Sequence, residues 1–240
     1  MQSIQHESAA VFPYTLHTPR GPVRAKNIVH CTNGYSGHLL PALRGRIYPF
    51  KGTMTVQDPG HAQPNRGKEL SWGFHYPPTY DPVTKRQGHG LYYLGQNART
   101  GWFFFGGEEA PIEESVSADD SFVGRPSVSH LESVLPRFFG CEPNWKLRSA
   151  WSGIMGFSAD GLPVVGRLPE TLTGRSGEGE WIAAAFNGYG MANCLMSGEA
   201  VALMMLGESP SDLPKAYGLD EKRLGGILTA PEAINTWAKL

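Results

Sequence analysis

The spacing of apolar residues changes period several times along the chain, and each change predicts an element. "VFPYTLHTPRGPVRAKNIVHCTNGYSG" reads as two strands around the turn Pro19-Arg-Gly-Pro22, then a buried strand from Asn27 to Cys31. Thr32-Asn33-Gly34 breaks that strand, and Ser36 stands where it can cap a short helix reaching Leu43. "IYPFKGTMTVQ" alternates, with Tyr48, Phe50, Met54 and Val56 on one side and Lys51, Thr53 and Thr55 on the other. That period of two predicts a half-buried strand of an antiparallel sheet. "LSWGFHY", "GLYYLGQ" and "GWFFFGG" predict further strands of the same sheet, rich in aromatics and parted by Pro, Gly and Asp. Residues 58 to 68 and 77 to 90 read as polar loops.

The period then lengthens. "RPSVSHLESVLPRFFG" predicts a helix with Val128, Leu131 and Leu135 on one stripe and Gly140 as its stop. "WKLRSAWSGIMGFSADGLPVVGR" returns to strand and turns at Asp160-Gly161. A loop rich in glycine and acid, residues 174 to 180, precedes a continuous apolar run from Trp181 to Phe186. Such a run predicts a strand buried on both faces, as in a parallel sheet. A helix follows, with Met191, Leu195, Ala202 and Met205 expected towards a core. One more helix is expected near Pro231. No internal repeat or low-complexity tract occurs.

Composition narrows the class. The 240 residues carry a net charge of −1 with 18% charged positions, which argues against a nucleic-acid surface or a polybasic membrane patch. Hydrophobic content of 40% suits a folded chain with a sizeable core. The apolar runs are too short to span a bilayer, and the first ten residues lack the basic and apolar regions of a secretory signal. Cys31, Cys141 and Cys194 show no CxxC spacing, so neither a disulfide framework nor a zinc site is expected. A soluble, intracellular protein is the expectation.

The candidate chemistry lies in "AFNGYGMAN". Gly188 and Gly190 let the backbone approach something closely, at a helix N-terminus whose N–H groups lack partners. A phosphate or an electron-rich ring edge would suit those donors; a tight strand-to-helix turn with no ligand fits the residues as well. The third glycine of the dinucleotide fingerprint is replaced by Asn193, which makes a pyrophosphate the poorer candidate. His30, His38 and His130 read as core or surface residues, and His75 and His89 have no spaced carboxylate. Glu113-Glu114 and Asp119-Asp120 read as solvated charges. Trp102 to Phe105 reads as sheet core, with one ring free to face a substrate.

Taken together, "WSGIMGFSADGLPVVG", "FNGYGMANCLMSGEAVA" and "NIVHCTNGYSGHLLPALRGRIYPFKGTM" resemble, in their order, the FAD-dependent oxidoreductases of the D-amino-acid oxidase superfamily. The Asp-Gly-x-Pro-x-x-Gly turn of that group is matched by Asp160, Gly161, Pro163 and Gly166. The resemblance implies an α+β fold: an antiparallel substrate-binding sheet, residues 46–144, joined to parts of a flavin-binding α/β domain, residues 1–45 and 145–240. It implies FAD as cofactor, with Asn187, Gly188, Tyr189, Gly190 and Met191 at the pyrimidine edge of the flavin ring. Thr32, Asn33, Gly34, Trp151 and Gly153 are implied as further cofactor-binding positions. The implied reaction oxidises a C–N bond by hydride transfer to flavin, with reoxidation by oxygen.

The same resemblance implies what departs from it. Members begin with a strand, a GxGxxG turn and a helix that grip the FAD pyrophosphate, and no G-x-G-x-x-G run occurs in this sequence. The expectation is a C-terminal portion lacking the N-terminal dinucleotide-binding βαβ, binding FAD weakly or not at all by itself, with a missing N-terminal half as a possible partner. The alternative is a truncated, non-catalytic relative that binds or complements a partner. Trp151-Ser152-Gly153-Ile154 offers no thiol where sarcosine-oxidase relatives attach flavin covalently, and Cys194 is expected to be packed in its helix. The positions where relatives carry an arginine or lysine for a substrate carboxylate fall on Met155 and Ala192, so an amine is expected rather than a simple α-amino acid. Ala238-Lys239-Leu240 is a close variant of the Ser-Lys-Leu address, which points to the peroxisome, with the cytoplasm as the alternative.

Overall fold

The computed structural model describes residues 1–60, 63–107, 109–140, 145–220, 222–224, 226, 229 and 232. Cys141, the helix expected near Pro231 and the Ala238-Lys239-Leu240 tripeptide lie outside the described residues. The chain divides into two compact units, one of Met1–Pro49 with Met155–Leu240, the other of Phe50–Ile154. Antiparallel sheets dominate, with one mixed sheet, as the α+β reading expects. No described helix is long and apolar enough to cross a membrane.

The chain opens with strands β1 (Ser3–His6), β2 (Tyr14–Thr18) and β3 (Gly21–Ala25), which form an antiparallel sheet in that order, and then β4 (Ile28–His30). The turn at Pro19–Pro22 and the buried strand fall where the pattern puts them; β1 has too little alternation to show. After β4 come a 3-10 turn, Asn33–Tyr35, then α1 (Ser36–Leu39) and a second 3-10 turn, Pro41–Leu43. Ser36 does not cap a helix reaching Leu43. It is the first residue of a single α-turn, and its hydroxyl donates back to Asn33 O at 2.8 Å.

Next are β5 (Ile47–Asp58), β6 (Ser71–His75), β7 (Thr79–Tyr80), β8 (Arg86–Gly88), β9 (Leu91–Gln96), β10 (Phe103–Gly107) and β11 (Glu109–Pro111). Helices α2 (Ile112–Ser115) and α3 (Arg125–Phe139) and strand β12 (Lys146–Ser158) follow. The predicted strands form one sheet in the order β12-β5-β10-β9-β6. Residues 77–90 are not all loop, because β7 pairs with β8 and β8 with β11 in a second small sheet. The faces of β5 alternate as expected, but the polar face is buried too: Lys51, Thr53, Thr55 and Gln57 are at most 5% exposed. Thr55 Oγ1 donates to Phe105 O and Gln57 Nε2 to Leu131 O, so tertiary partners replace the water this face would otherwise need. Phe103 and Phe105 pack with Leu131, Val134 and Leu135 of α3. Gly140, at φ 97°, ends that helix. His130 lies between Tyr92 Oη (2.6 Å) and Glu109 (3.2 Å), a structural role. Burial lowers His89 to about 4, so it stays neutral at physiological pH.

The chain continues through β13 (Val164–Arg167), α4 (Glu170–Thr173), β14 (Glu180–Ala184) and α5 (Gly190–Met205), and a 3-10 turn, Lys215–Tyr217, follows. Strand order is β13-β14-β4, antiparallel on one side and parallel on the other. One face holds Val164, Ile182 and Ala184 with Leu40, Leu43, Leu168 and Leu172; the other holds Val165 and Ala183 with Val201. The strand at 181–184 is buried as expected. Of the residues expected towards the core in the helix after it, Met205 packs there, while the buried positions are Ser197, Ala200 and Val201 and Met191, Leu195 and Ala202 are exposed. Met191 is 99% and Leu195 78% exposed. Apolar residues all round α5 left its periodicity without a unique buried face. Cys194 is exposed rather than packed, for the same reason.

Candidate functional site

Strand β14 leaves the sheet through an unusual backbone. Ala185 (φ 59°), Asn187 (φ 52°) and Gly188 (φ 82°) are all left-handed, three of four consecutive residues. Non-glycine residues held there cost on the order of 1–3 kcal/mol each and persist only where their surroundings fix them. Here they do. Asn187 is buried; its N–H donates to Gly156 O at 2.8 Å and its Oδ1 accepts from Ser158 N at 2.9 Å. Its amide also donates to Ala185 O. Phe186 N donates to Asn33 Oδ1 at 3.2 Å, and Asn33 is itself left-handed (φ 43°).

Three stretches far apart in sequence therefore meet in one unit: 32–34, 155–158 and 185–191. Gly156 is the contact point. A Cβ there would lie 2.4 Å from Asn33 Oδ1 and 2.6 Å from Gly34 N, so no side chain fits. Gly156→Ala is accordingly expected to destabilise the chain by about 1–3 kcal/mol through backbone displacement. A thermal melt beside the parent chain checks it; an unchanged melting temperature would show that the stretches are not locked together. Below Ser158, Asp160 pairs with Arg223. Burial works to raise the Asp160 carboxyl, but Arg223 and Leu162 N outweigh it and hold it below the usual range. Arg223 also donates to Leu162 O at 2.7 Å and Pro163 O at 2.8 Å, which pins the expected Asp160-Gly161 turn.

The turn delivers the N-terminus of α5, which no side chain caps. Ala192 N and Asn193 N donate to Tyr189 O, both at 3.2 Å, so the first intrahelical bonds begin after Gly190 and Met191. The N–H groups at the head of a sixteen-residue helix carry a partial positive charge suited to an anionic or electron-rich group. Gly190 does not have a positive φ. Its missing side chain leaves the head of the helix open, since a Cβ would meet only Phe186 Cβ, at 3.7 Å.

Of the other predicted positions, Gly34 is buried and Thr32 Oγ1 lies 3.0 Å from Ser36 Oγ. Met155 belongs at the turn: its sulfur would be 3.9 Å from a Cβ on Gly188. Ala192 is exposed on α5. Trp151 and Gly153 belong to the other unit; Trp151 is 40% exposed and meets Phe104 edge-on at 6.3 Å, while Gly153 has open space where a side chain would be. Phe104 is thus turned from the α3 core, as is Trp102, whose ring lies under the Arg148 guanidinium. Gly156, Ser158 and Ala185 were missed in the sequence. A cavity of about 440 Å³ between Arg167–Glu170 and Ser176–Glu178 contains none of these residues.

Apart from exposed Tyr189, the three stretches bring no acid–base group to the turn, and no described cluster of His, Cys, Asp or Glu could hold a metal. The turn can bind and polarise but has no redox chemistry of its own.

Comparison with known protein families matches residues 1–204 to the family described as FAD dependent oxidoreductase. No curated protein matches the chain. Among solved structures, glycine oxidase from Geobacillus kaustophilus is similar at 18% identity and a TM-score of 0.61, over 91% of this chain and 51% of that one. L-proline dehydrogenase from P. horikoshii is similar at 20% and 0.61, over 94% and 55%. Iminodiacetate oxidase from Chelativorans sp. BNC1 is similar at 16% and 0.60, over 91% and 53%. The chain spans about half the length of the solved structures it matches, and at these identities the likeness shows the fold alone.

Proposed function

The chain belongs to the FAD dependent oxidoreductase family, and from that premise we propose that it serves the oxidation of a C–N bond in an amine or amino compound, with oxygen as acceptor. The observation that carries this is the uncapped head of α5 at Gly188–Met191, held by a strained turn, with exposed Tyr189 as its one acid–base group. A bound flavin would supply the two-electron acceptor.

Asn187, Gly188, Tyr189, Gly190 and Met191 would hold the ring edge, with Thr32, Asn33 and Gly34 behind them. The chain's own contribution is electrostatic: N–H dipoles fixed beforehand stabilise negative charge on whatever they face, without reorganising. The open helix head fits such a group. Glycine-turn donors address a ring, and the sequence has no G-x-G-x-x-G run for a pyrophosphate, so weak FAD binding by this chain alone is part of the proposal.

The substrate class follows from Met155 and Ala192. Neither offers a charge to a carboxylate, where a bidentate guanidinium would serve well. An unpaired carboxylate buried against Met155 would be disfavoured by several kcal/mol. An amine, or an amino compound whose carboxylate lies far from the reacting carbon, is therefore proposed. Oxygen uptake with FAD in excess should be faster with a primary or secondary amine than with glycine, sarcosine or D-alanine. The reverse order would remove the proposed substrate class.

A further inference from the structure

The stretch after α5 is fastened to the same unit as the candidate site. Leu219 N donates to Val165 O of β13 at 3.1 Å, Gly218 bridges Val165 in parallel, and Leu224 is buried with Val164 and Ile182. From that base two side chains reach towards the turn. Arg223 Nη1 holds its own stretch, donating to Ala216 O at 2.8 Å and Gly218 O at 3.2 Å. Its Nε and Nη2 donate to Asp160, Leu162 O and Pro163 O, so one guanidinium staples residues 216–218 to residues 160–163. Only 13% of that side chain meets solvent. The bonds continue past Asp160. Ser158 Oγ lies 2.9 Å from Asp160 Oδ1, and Ser158 N donates to Asn187 Oδ1 at 2.9 Å. Tyr217 forms the second arm. Packed against the cluster of Val165, Ala183 and Val201, it donates its hydroxyl to Asn193 Oδ1 at 3.2 Å. Asn193 Nδ2 then donates to Tyr189 O at 3.0 Å, the carbonyl that opens the bonding of α5. The two arms therefore end on Asn187 and Tyr189, the residues on either side of Gly188.

We propose that Tyr217 and Arg223 are positioning residues, two arms of one strap that holds both ends of the glycine turn and so aims the head of α5 at the ring it receives. The proposal rests on the flavin reading above. Left-handed backbone at Asn187 persists only where its surroundings over-determine it, and fixed donors stabilise charge only when they are held in place. Bonds that grip the turn from both sides supply that constraint.

The test compares R223K and Y217F with the parent 240-residue chain by amide hydrogen exchange and by lumiflavin titration. R223K keeps a charge beside Asp160 but cannot span the four backbone carbonyls, and Y217F removes one hydroxyl. R223K should speed exchange at Ser158 and Asn187 roughly tenfold, and Y217F at Asn193 roughly threefold, with fully buried Ile182 of β14 unchanged in both. Lumiflavin binding should weaken by similar factors. The absorbance band of the ring still bound should also differ from the parent's, which a loss of stability alone would not produce. Y217F carries the test by itself where a melt shows R223K unfolded. Parent-like exchange at the turn overturns the proposal. So does equal acceleration at Ile182, which would make both side chains general supports of the unit. Parent-like lumiflavin affinity and spectrum in a variant whose turn has loosened overturns it as well. Where the parent chain itself binds no lumiflavin, the flavin reading falls and the exchange rates still decide the strap.

Discussion

Glu180→Gln is expected to lower the stability of the chain by about 3–5 kcal/mol, the usual result of breaking a buried ion pair from one side. The Glu180 side chain is fully buried, with His30 Nε2 at 2.9 Å and Arg175 Nε and Nη2 at 2.5 and 2.7 Å. It also opens β14 directly beside Ile28 of β4, so it ties the parallel pair together. Burial acts to raise its carboxyl, but Arg175 and then His30 overcome that and hold it below its ordinary 4.5. A carboxyl depressed in the folded state adds stability that is complete above its unfolded value and disappears as pH falls through the folded one. Urea unfolding from neutrality down through pH 4.5 should therefore show the parent chain losing stability on the acid side, with a shallower loss in Glu180→Gln. Parallel acid limbs, or a loss under 1 kcal/mol, would mean the pair contributes little.

Gly190→Val carries the largest expected functional effect: flavin-linked turnover should fall roughly 100-fold, the scale seen when one preorganised donor is lost. The fold should survive, because Gly190 has no positive φ and a Cβ there would meet only Phe186. Gly188→Val is the contrasting variant. At φ 82° a branched side chain is strained whatever the space around it, so that change should cost stability as well. Circular dichroism and melting separate the two, and undiminished turnover in folded Gly190→Val would take the head of α5 out of the site.

The elements were legible where period and punctuation agreed: the alternation of 47–57, the helix at 125–139 with its glycine stop, and the glycine turn ahead of α5. What a face is buried against was less legible. Lys51, Thr53 and Thr55 read as a polar face because the partner of Thr55, Phe105, is 50 residues away. Residues 77–90 read as loop because strands of two and three residues are too short to show a period of two. Glu180 read as the end of an acidic loop, since its partner His30 lies 150 residues earlier. At the site, Asn187 and Gly188 announced a turn through their tolerance of left-handed backbone. Ala185 has no such chemistry and gave no sign. The role of Gly156 depends on Asn33 standing over it, which only the fold arranges.

Titration of the 240-residue chain with FAD and with lumiflavin, followed by flavin absorbance, tests most directly whether the turn at Asn187–Met191 receives a flavin ring. Lumiflavin carries the ring without the pyrophosphate. The expected result is a weak, saturable change of similar affinity for both, absent in folded Gly190→Val. No response to either ligand, or the same response in Gly190→Val, would contradict it.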